Sequence, residues 1–516
     1  MTLEFMTTEA MKPPAITPPA ITPPAITPPA MTNERRRTVD TDWPTDNPFF
    51  HGPFAPWTEE SAAYDLEIEG EIPADLRGAL FRSSSNPRFQ PRSFERYHWF
   101  EGDGMVAAIY VRDGKASYRA RWVETDSFKV EVERGEAIYS GFVNGGSWGF
   151  VPDGAPKFKN VANTHMGMFG DHLLVFFEGG LPYAMDPETL DTRGEWNFHG
   201  GIDTLCTAHF KYDPATGDLL FFAAVGKVVT WYRADAATGR VIDSRSFDVD
   251  TPVMMHDFAV SENYAAFFVS PLQLRFDYVA QGKPGVVWNE HELPGETQLI
   301  LLDRRTHEIT RHEIGDASLP SHFYNAFEIG DEVVVRGHRS TQFGTPIDRL
   351  NSPMQPHEFL GAESYPWEWR VDTVTGAVKS TQVNDINGDL PRIDDRLTGR
   401  ENRFGYYMAE KITRHDHLRG TDQFYGAPAP LAGPSEPVFV PRENSTGEDD
   451  GYLLSLWWHP LTRLTEVLVH DAANPSDQPL TRIKLPVRIP NGFHGSWADA
   501  AVLDGIAAET AADDIR

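Results

Sequence analysis

From about residue 43 the chain alternates short apolar runs rich in Val, Phe, Tyr and Leu with breaks of Gly, Pro, Asn or Asp, the texture of strands and turns. One unit recurs, an apolar strand, an Asp-led turn and a second strand. It reads YVRDGKASY from Tyr110, FKYDPATGDLLFF from Phe210, WYRADAATGRVI from Trp231, LLDRRTHEIT from Leu301 and WRVDTVTGAVKS from Trp369. An Asp at the first turn position accepts from the amides that follow it. The later Gly supplies a positive φ, so each unit predicts a β-hairpin. Long amphipathic helical patterns are scarce. Many hairpins with few helices to cover them predict an all-β fold whose sheets pack on one another. The irregular spacing of the unit permits a β-propeller with long loop insertions, and a large β-sandwich is the structural alternative.

Residues 13–32 read PPAITPPAITPPAITPPAMT, a five-residue repeat whose paired prolines lack amide donors and favour extended polyproline geometry. Residues 1–42 are therefore expected to be a disordered proline-rich leader with no chemistry of its own. Residues 43–502 are expected to form the globular domain and 503–516 a flexible tail.

Composition narrows the partners. Forty-six Lys and Arg against 75 Asp and Glu give a net charge of −29, a field that repels phosphate backbones and anionic headgroups alike, so no nucleic-acid partner is expected. The 32 Phe residues suit a packed interior and could also line an apolar tunnel. Cys206 is the only cysteine, which rules out an intrachain disulfide and a thiolate zinc site and fits a reducing compartment. There is no run of 18 apolar residues and no secretory signal pattern, which makes the cytoplasm the expected location.

The chain has no phosphate-cradling Walker loop, no G-x-G-x-x-G after a strand, no H-E-x-x-H and no G-x-S-x-G. Histidine remains as the carrier of chemistry. His307 and His312 flank a turn, and His415 and His417 alternate in the charged stretch RHDHLRG; both pairs read as solvated surface. Four others sit in apolar or small-residue strand ends, TAHFKYDP at His209, MMHDFAV at His256, SHFYNAFE at His322 and NGFHGSW at His494. Their separations would put each on a different sheet, and the inner strands of a propeller converge on its axis.

Further landmarks are NPFFHGPFAPW from Asn47, YHWFEGDGMV from Tyr97, RWVETDSF from Arg121, EGGLPYAMDPETLDT from Glu178, LPRIDDRLTG from Leu390 and FVPRENSTGEDDGYLLS from Phe439. In this order, over about residues 47–499, the chain resembles the carotenoid cleavage oxygenase family, which includes apocarotenoid oxygenases and lignostilbene dioxygenases. The resemblance implies a seven-bladed β-propeller with loop insertions forming a cap over the metal site. It also implies one Fe(II) per chain, held by His209, His256, His322 and His494 as both metal ligands and catalytic centre. Four imidazoles are nitrogen donors that suit Fe(II), and they leave its full charge uncompensated in the ligand set and positions open for O2.

Carboxylates that accept the other ring N–H of such histidines fix tautomer and orientation. By the same resemblance Glu178 supports His256, Glu448 supports His494, and Asp389, standing where the family usually has Glu, supports His322; His209 has no carboxylate partner. Thr164, in the ANTH stretch, matches a threonine that crowds one open iron position.

The implied reaction splits an electron-rich alkene with O2 into two carbonyl products. No acid or base pair is needed for it. Candidate substrates are hydrophobic small-molecule alkenes, either carotenoids and apocarotenoids or lignostilbenes and phenylpropenes. Lignostilbene-type relatives often carry Lys immediately before the glutamate matched by Glu178. Phe177 stands there and favours the less polar, carotenoid-like class. At most weak peripheral membrane contact is expected, through SPLQLRFDYVAQGKPGVVW from Ser270. The competing readings are a non-catalytic ligand-binding propeller and an iron-bearing isomerase that consumes no O2.

Overall fold

A computed structural model of the chain describes residue 43 and residues 46–291, 295–351, 358 and 363–513, the last seven of them by backbone only. The proline-rich leader read from the sequence lies outside the described residues. All described residues belong to one compact unit, residues 36–516.

The larger sheets of the protein are antiparallel. Among the described residues, seven sheets have four or more strands, and a small three-stranded sheet joins Leu272–Leu274, Val286–Trp288 and Thr345–Pro346. The Asp-led hairpins form where the sequence predicts them, four with the Asp accepting from the following amides, while in the first Asp113 and Gly114 both lie at positive φ in a two-residue turn. Asp372 Oδ1 accepts from the amides of Val374 (2.9 Å) and Thr375 (2.8 Å), and Gly376 follows at φ +75°. Gly217 and Gly239 close their turns in the same left-handed region, which L side chains rarely adopt. The turn after Leu302 has no glycine, and His307 takes that conformation at φ +60°.

Each sheet is buried on both faces, which explains near-continuous apolar runs such as LLFFAA at 219–224. Successive side chains serve opposite interfaces. Phe221 packs toward Leu174, Phe176 and Ala184, whereas Phe222 packs toward Phe258, Phe267 and Ile300. The same logic carries around the molecule. Phe268 and Leu301 meet Phe323 and Trp369, Tyr324 meets Tyr407, and Tyr406 and Tyr425 meet Phe439 and Leu453. Val438 and Val467 then meet Leu80 and Ile109, and Phe81 and Ala108 meet Met166 and Val175. Every one of the seven larger sheets thus shares an apolar layer with two others.

Two strand pairings join distant parts of the chain. Glu67–Gly70 pairs with Thr481–Lys484, and Gly78–Ser85 pairs with Gly495–Asp499. The segment after residue 502 is not a free tail. Ala500–Asp513 is helical, with Leu503 buried among Ala79, Phe81, Val106 and Ala498. Polar and alanine-rich composition hid this anchor from the sequence reading.

The stretch from Ser270 read as a membrane patch is turned inward. Leu272, Val279, Val286, Val287 and Trp288 are buried, and none of its large apolar side chains is exposed. No helix among the described residues is long and apolar enough to cross a membrane.

Leu503→Ala should lower stability by about 2–5 kcal/mol in denaturant unfolding, the cost of a cavity at a filled core position. A loss below about 0.5 kcal/mol, the ordinary size of a surface substitution, would mean the helix is frayed in solution.

Candidate metal centre

Strand ends set the positions of the four histidines. His209 and His256 stand two residues before Lys211–Tyr212 and Phe258–Val260, His322 lies in Leu319–Ile329, and His494 immediately precedes Gly495–Asp499. Each of these strands is the edge strand of a different sheet, so its side chains reach past the ladder rather than into a neighbouring strand.

The structure brings the four rings together. One ligand-capable atom from each lies within 4.8 Å of those of the others. His256 Nε2 is 3.1 Å from His209 Nε2 and 3.0 Å from His322 Nε2. At metal–imidazole distances of about 2.1 Å, two nitrogens at right angles stand about 3.0 Å apart, so this spacing fits one metal ion.

Hydrogen bonding on the far side of the rings decides which nitrogen faces inward. His256 Nδ1 donates to Glu178 Oε2 at 2.7 Å, His322 Nδ1 to Asp389 Oδ1 at 2.9 Å, and His494 Nδ1 to Glu436 Oε1 at 2.8 Å. A carboxylate can only accept, so each Nδ1 carries the hydrogen and each Nε2 presents a lone pair. Lone pairs 3.0 Å apart repel, and a cation between them removes that cost. Burial pushes His209 and His494 well below the usual imidazole range, which keeps them neutral and able to ligate. For His256 burial acts in the same direction but the Glu178 carboxylate outweighs it, and the net direction is upward.

Glu448 does not support His494. Its carboxylate accepts from the amides of Arg403 (2.9 Å) and Phe404 (2.6 Å) and serves to fix a turn. Glu436 does the work instead. It is almost fully buried, and its second oxygen accepts from the Gly495 amide (2.8 Å) and from the buried Arg82 guanidinium (3.2 Å). The only signal for Glu436 was an acid placed directly before the apolar run PVFV; Glu448, in an acidic turn, offered the more familiar motif.

Asp389 reaches His322 although it is one methylene shorter than Glu. Its strand bulges between Asp389 and Arg392, with Leu390 at φ +58° and its amide donating to Asp389 Oδ1 at 2.8 Å. His209 makes no carboxylate hydrogen bond among the described residues. Its Nδ1 is 3.8 Å from Asp257 Oδ1, and Asp257 is held by Lys211 at 2.9 Å and by the Phe323 amide at 2.9 Å.

Thr164 lies beside His494, its carbonyl accepting from the His494 amide at 3.2 Å while its hydroxyl donates to Asn163. Phe177 lines an apolar cavity with Phe142, Phe158, Met254, Leu274 and Phe276, and Glu178 stands in the same wall. On another side a cavity of about 100 Å³ of mixed lining opens onto His209, His322 and His494, and His165, Lys211, Asp257 and Arg392 also border it. Two histidines read as solvated are buried instead. His312 bonds Thr310 and the Gly376 carbonyl, and His415 bonds Asp422 at 2.8 Å. Both alternate with charged residues on strands whose other neighbours cover them.

Comparison with known proteins agrees with this arrangement. Residues 54–499 match the family described as retinal pigment epithelial membrane protein (RPE65). The chain is 30% identical to lignostilbene-α,β-dioxygenase isozyme III of Sphingomonas paucimobilis, over 88% of this chain and 97% of that one. It is also 30% identical to the carotenoid 9,10(9',10')-cleavage dioxygenase of Crocus sativus, over 87% and 89%. The fold superposes on the crystal structure of Pseudomonas brassicacearum lignostilbene dioxygenase with a TM-score of 0.80 at 26% identity, covering 88% of this chain and 99% of that one.

Exchanging the acids separates their roles. Glu436→Gln should weaken metal retention about 10- to 100-fold, measured as metal content against a competing chelator. Glu448→Gln should retain metal like the parent, and a loss equal to that of Glu436→Gln would reverse the assignment.

Proposed function

The chain belongs to the retinal pigment epithelial membrane protein (RPE65) family, and from that premise we propose that it is a non-haem Fe(II)-dependent dioxygenase that cleaves a carbon–carbon double bond of a carotenoid or apocarotenoid with O2 to give carbonyl products. The observation that carries this reading is the cluster of four imidazoles, three of them oriented by carboxylates so that their Nε2 lone pairs converge. This donor set fits the iron site of the family, with His209, His256, His322 and His494 as ligands. Iron bound there supplies the activation of O2 toward an alkene held beside it.

The chain's own residues hold the geometry. Glu178, Asp389 and Glu436 fix the tautomer of three ligands, and Arg82 and the Gly495 amide hold Glu436 in place. Phe142, Phe158, Phe177, Phe276 and Met254 form an apolar wall next to Glu178, which keeps water from the carboxylate that orients His256. Thr164, whose carbonyl accepts from the His494 amide, would limit access to a metal held by the four histidines. Residues 43–502 act as a seven-bladed propeller. That architecture is supported by seven sheets that each share apolar layers with two others, and by the pairing of Gly78–Ser85 with Gly495–Asp499. The small sheet and the helix Phe276–Val279 belong to the cap over the metal site. Cytoplasmic residence rests on Cys206 as the only cysteine and on its burial as a free thiol.

A second reading, cleavage of a stilbene or phenylpropene double bond, is favoured by the likeness to lignostilbene dioxygenases in sequence and fold. Phe177 before Glu178 supports the less polar class.

Anaerobic reconstitution with Fe(II), followed by O2 uptake with apocarotenals and stilbenes and product masses, tests both. Stoichiometric uptake with paired carbonyl products is the expected result, and the productive substrate decides the class. His322→Ala should lose most iron and all turnover, whereas the exposed His199→Ala should keep both. Iron binding without O2 consumption on every alkene would favour the isomerase chemistry and overturn the proposal.

A further inference from the structure

Asp389 orients His322 with a short side chain, so the placement of its backbone decides whether the two meet. That backbone is pinned from a neighbouring sheet. Gly388 donates its amide to the Ser364 carbonyl at 2.9 Å, and its own carbonyl accepts from His338 Nδ1 at 2.8 Å. His338 lies in Glu332–Ser340 and Asp389 opens Asp389–Arg392 of a different sheet, so the bond ties two sheets together. Gly388 is also pressed against the strand Phe404–Met408, where any Cβ would collide with the Met408 carbonyl oxygen and the Tyr407 ring.

His338 is completely buried, and both of its ring nitrogens are used. A carbonyl can only accept, so Nδ1 carries the hydrogen, and Nε2 accepts from the Tyr324 hydroxyl at 3.0 Å. Burial holds the ring down at about 4, so it is neutral near pH 7 and fits this tautomer. Tyr324 stands two residues beyond His322 on the same strand, Leu319–Ile329. The bonds therefore close a circuit. It leaves that strand at Tyr324, crosses His338 and Gly388, and returns through Asp389 to His322 Nδ1.

The far end of the circuit has no slack. Asp389 Oδ1 accepts from His322 and from the Leu390 amide, and Oδ2 accepts from the Ser321 hydroxyl at 3.1 Å. On a backbone held this way, a side chain one methylene longer would drive its carboxyl into the His322 ring. Both hydrogen bonds of the His338 ring go to groups outside the metal cluster, so its influence there runs through Asp389.

We propose that His338 is a positioning residue for the metal centre. By holding the Gly388 carbonyl it sets the depth at which the Asp389 carboxylate meets His322, and it matches the site to aspartate rather than glutamate. The inference rests on the reading of the four histidines as metal ligands and is independent of the reaction the metal supports.

Co(II) alone, loaded into the metal-free full-length chain and challenged with a chelator, tests this without turnover, and its d–d absorption reports the ligand geometry. His338→Phe fills similar space but cannot donate. It should retain Co(II) about 10-fold less well and shift the absorption bands. His338→Asn keeps a donor near the Nδ1 position and should restore both, at a lower Tm than the parent. Tyr324→Phe leaves the bond to Gly388 in place, so it should lower Tm while retention and spectrum stay at the parent's values. Asp389→Glu should cost about 10-fold in the parent chain and little in the His338→Phe background, where the freed backbone can retreat. Parent-like retention in His338→Phe or in Asp389→Glu, a loss shared equally by His338→Phe, His338→Asn and Tyr324→Phe, or additive losses in the double variant would overturn the proposal while leaving the metal reading intact. A parent chain that retains no Co(II) would strike the metal reading and this proposal with it.

Discussion

Everything at the centre of this protein depends on which ring nitrogen of each histidine keeps its hydrogen. An imidazole in a buried cluster has two equivalent ways to hold one proton, and only one of them leaves a lone pair pointing inward. Three carboxylates remove the choice by accepting from Nδ1. Because two of those carboxylates, Asp389 and Glu436, are themselves held by backbone amides, by Arg82 or by Ser321, their orientation is passed from the sheets to the rings. The cost of burying these acids is met only while they are fully hydrogen-bonded, which ties the precision of the site to the integrity of the strands that carry it.

His209 departs from the pattern, and its surroundings show why that is tolerable. Its edge of the cluster faces Asp257, whose two oxygens are occupied by Lys211 and by the Phe258 and Phe323 amides. A carboxylate so committed cannot come closer to the ring than a non-bonded contact. It still contributes negative potential beside a site whose ligands are all neutral.

Much of this was legible in the chain. The Asp-led hairpins could be read because their chemistry is local: one side chain, two amides and a residue at positive φ. The substitution of His307 for the expected glycine altered nothing in that turn. The four histidines were legible because their apolar contexts differ from those of surface histidines and because the ordered landmarks around them form a recognisable set. Glu436 was not, because its role is defined by a partner 58 residues away and by Arg82 from the opposite end of the chain, and no local pattern encodes either. The same limit explains His312 and His415. Charged neighbours in sequence suggested solvent, while the alternating geometry of a strand sends those neighbours to the other face. The helix from Ala500 was missed for a related reason, since only short apolar contacts at Leu503 and Ile506 anchor an otherwise alanine-rich and acidic segment.

The pairing of Gly78–Ser85 with Gly495–Asp499 has a consequence for how the protein comes into being. His494 is positioned by a ladder whose partners stand some 400 residues apart, and its amide bonds to the Thr164 carbonyl just before the strand His165–Phe169 of another sheet. Contacts of such separation form slowly, because the closure entropy is met before they return any stabilisation. During synthesis the nascent chain presents three of the four imidazoles well before the fourth emerges. The full donor set therefore exists only once the strand after His494 has paired with Gly78–Ser85, so capture of a metal by all four imidazoles waits on that long-range pairing rather than guiding the folding of the earlier sheets.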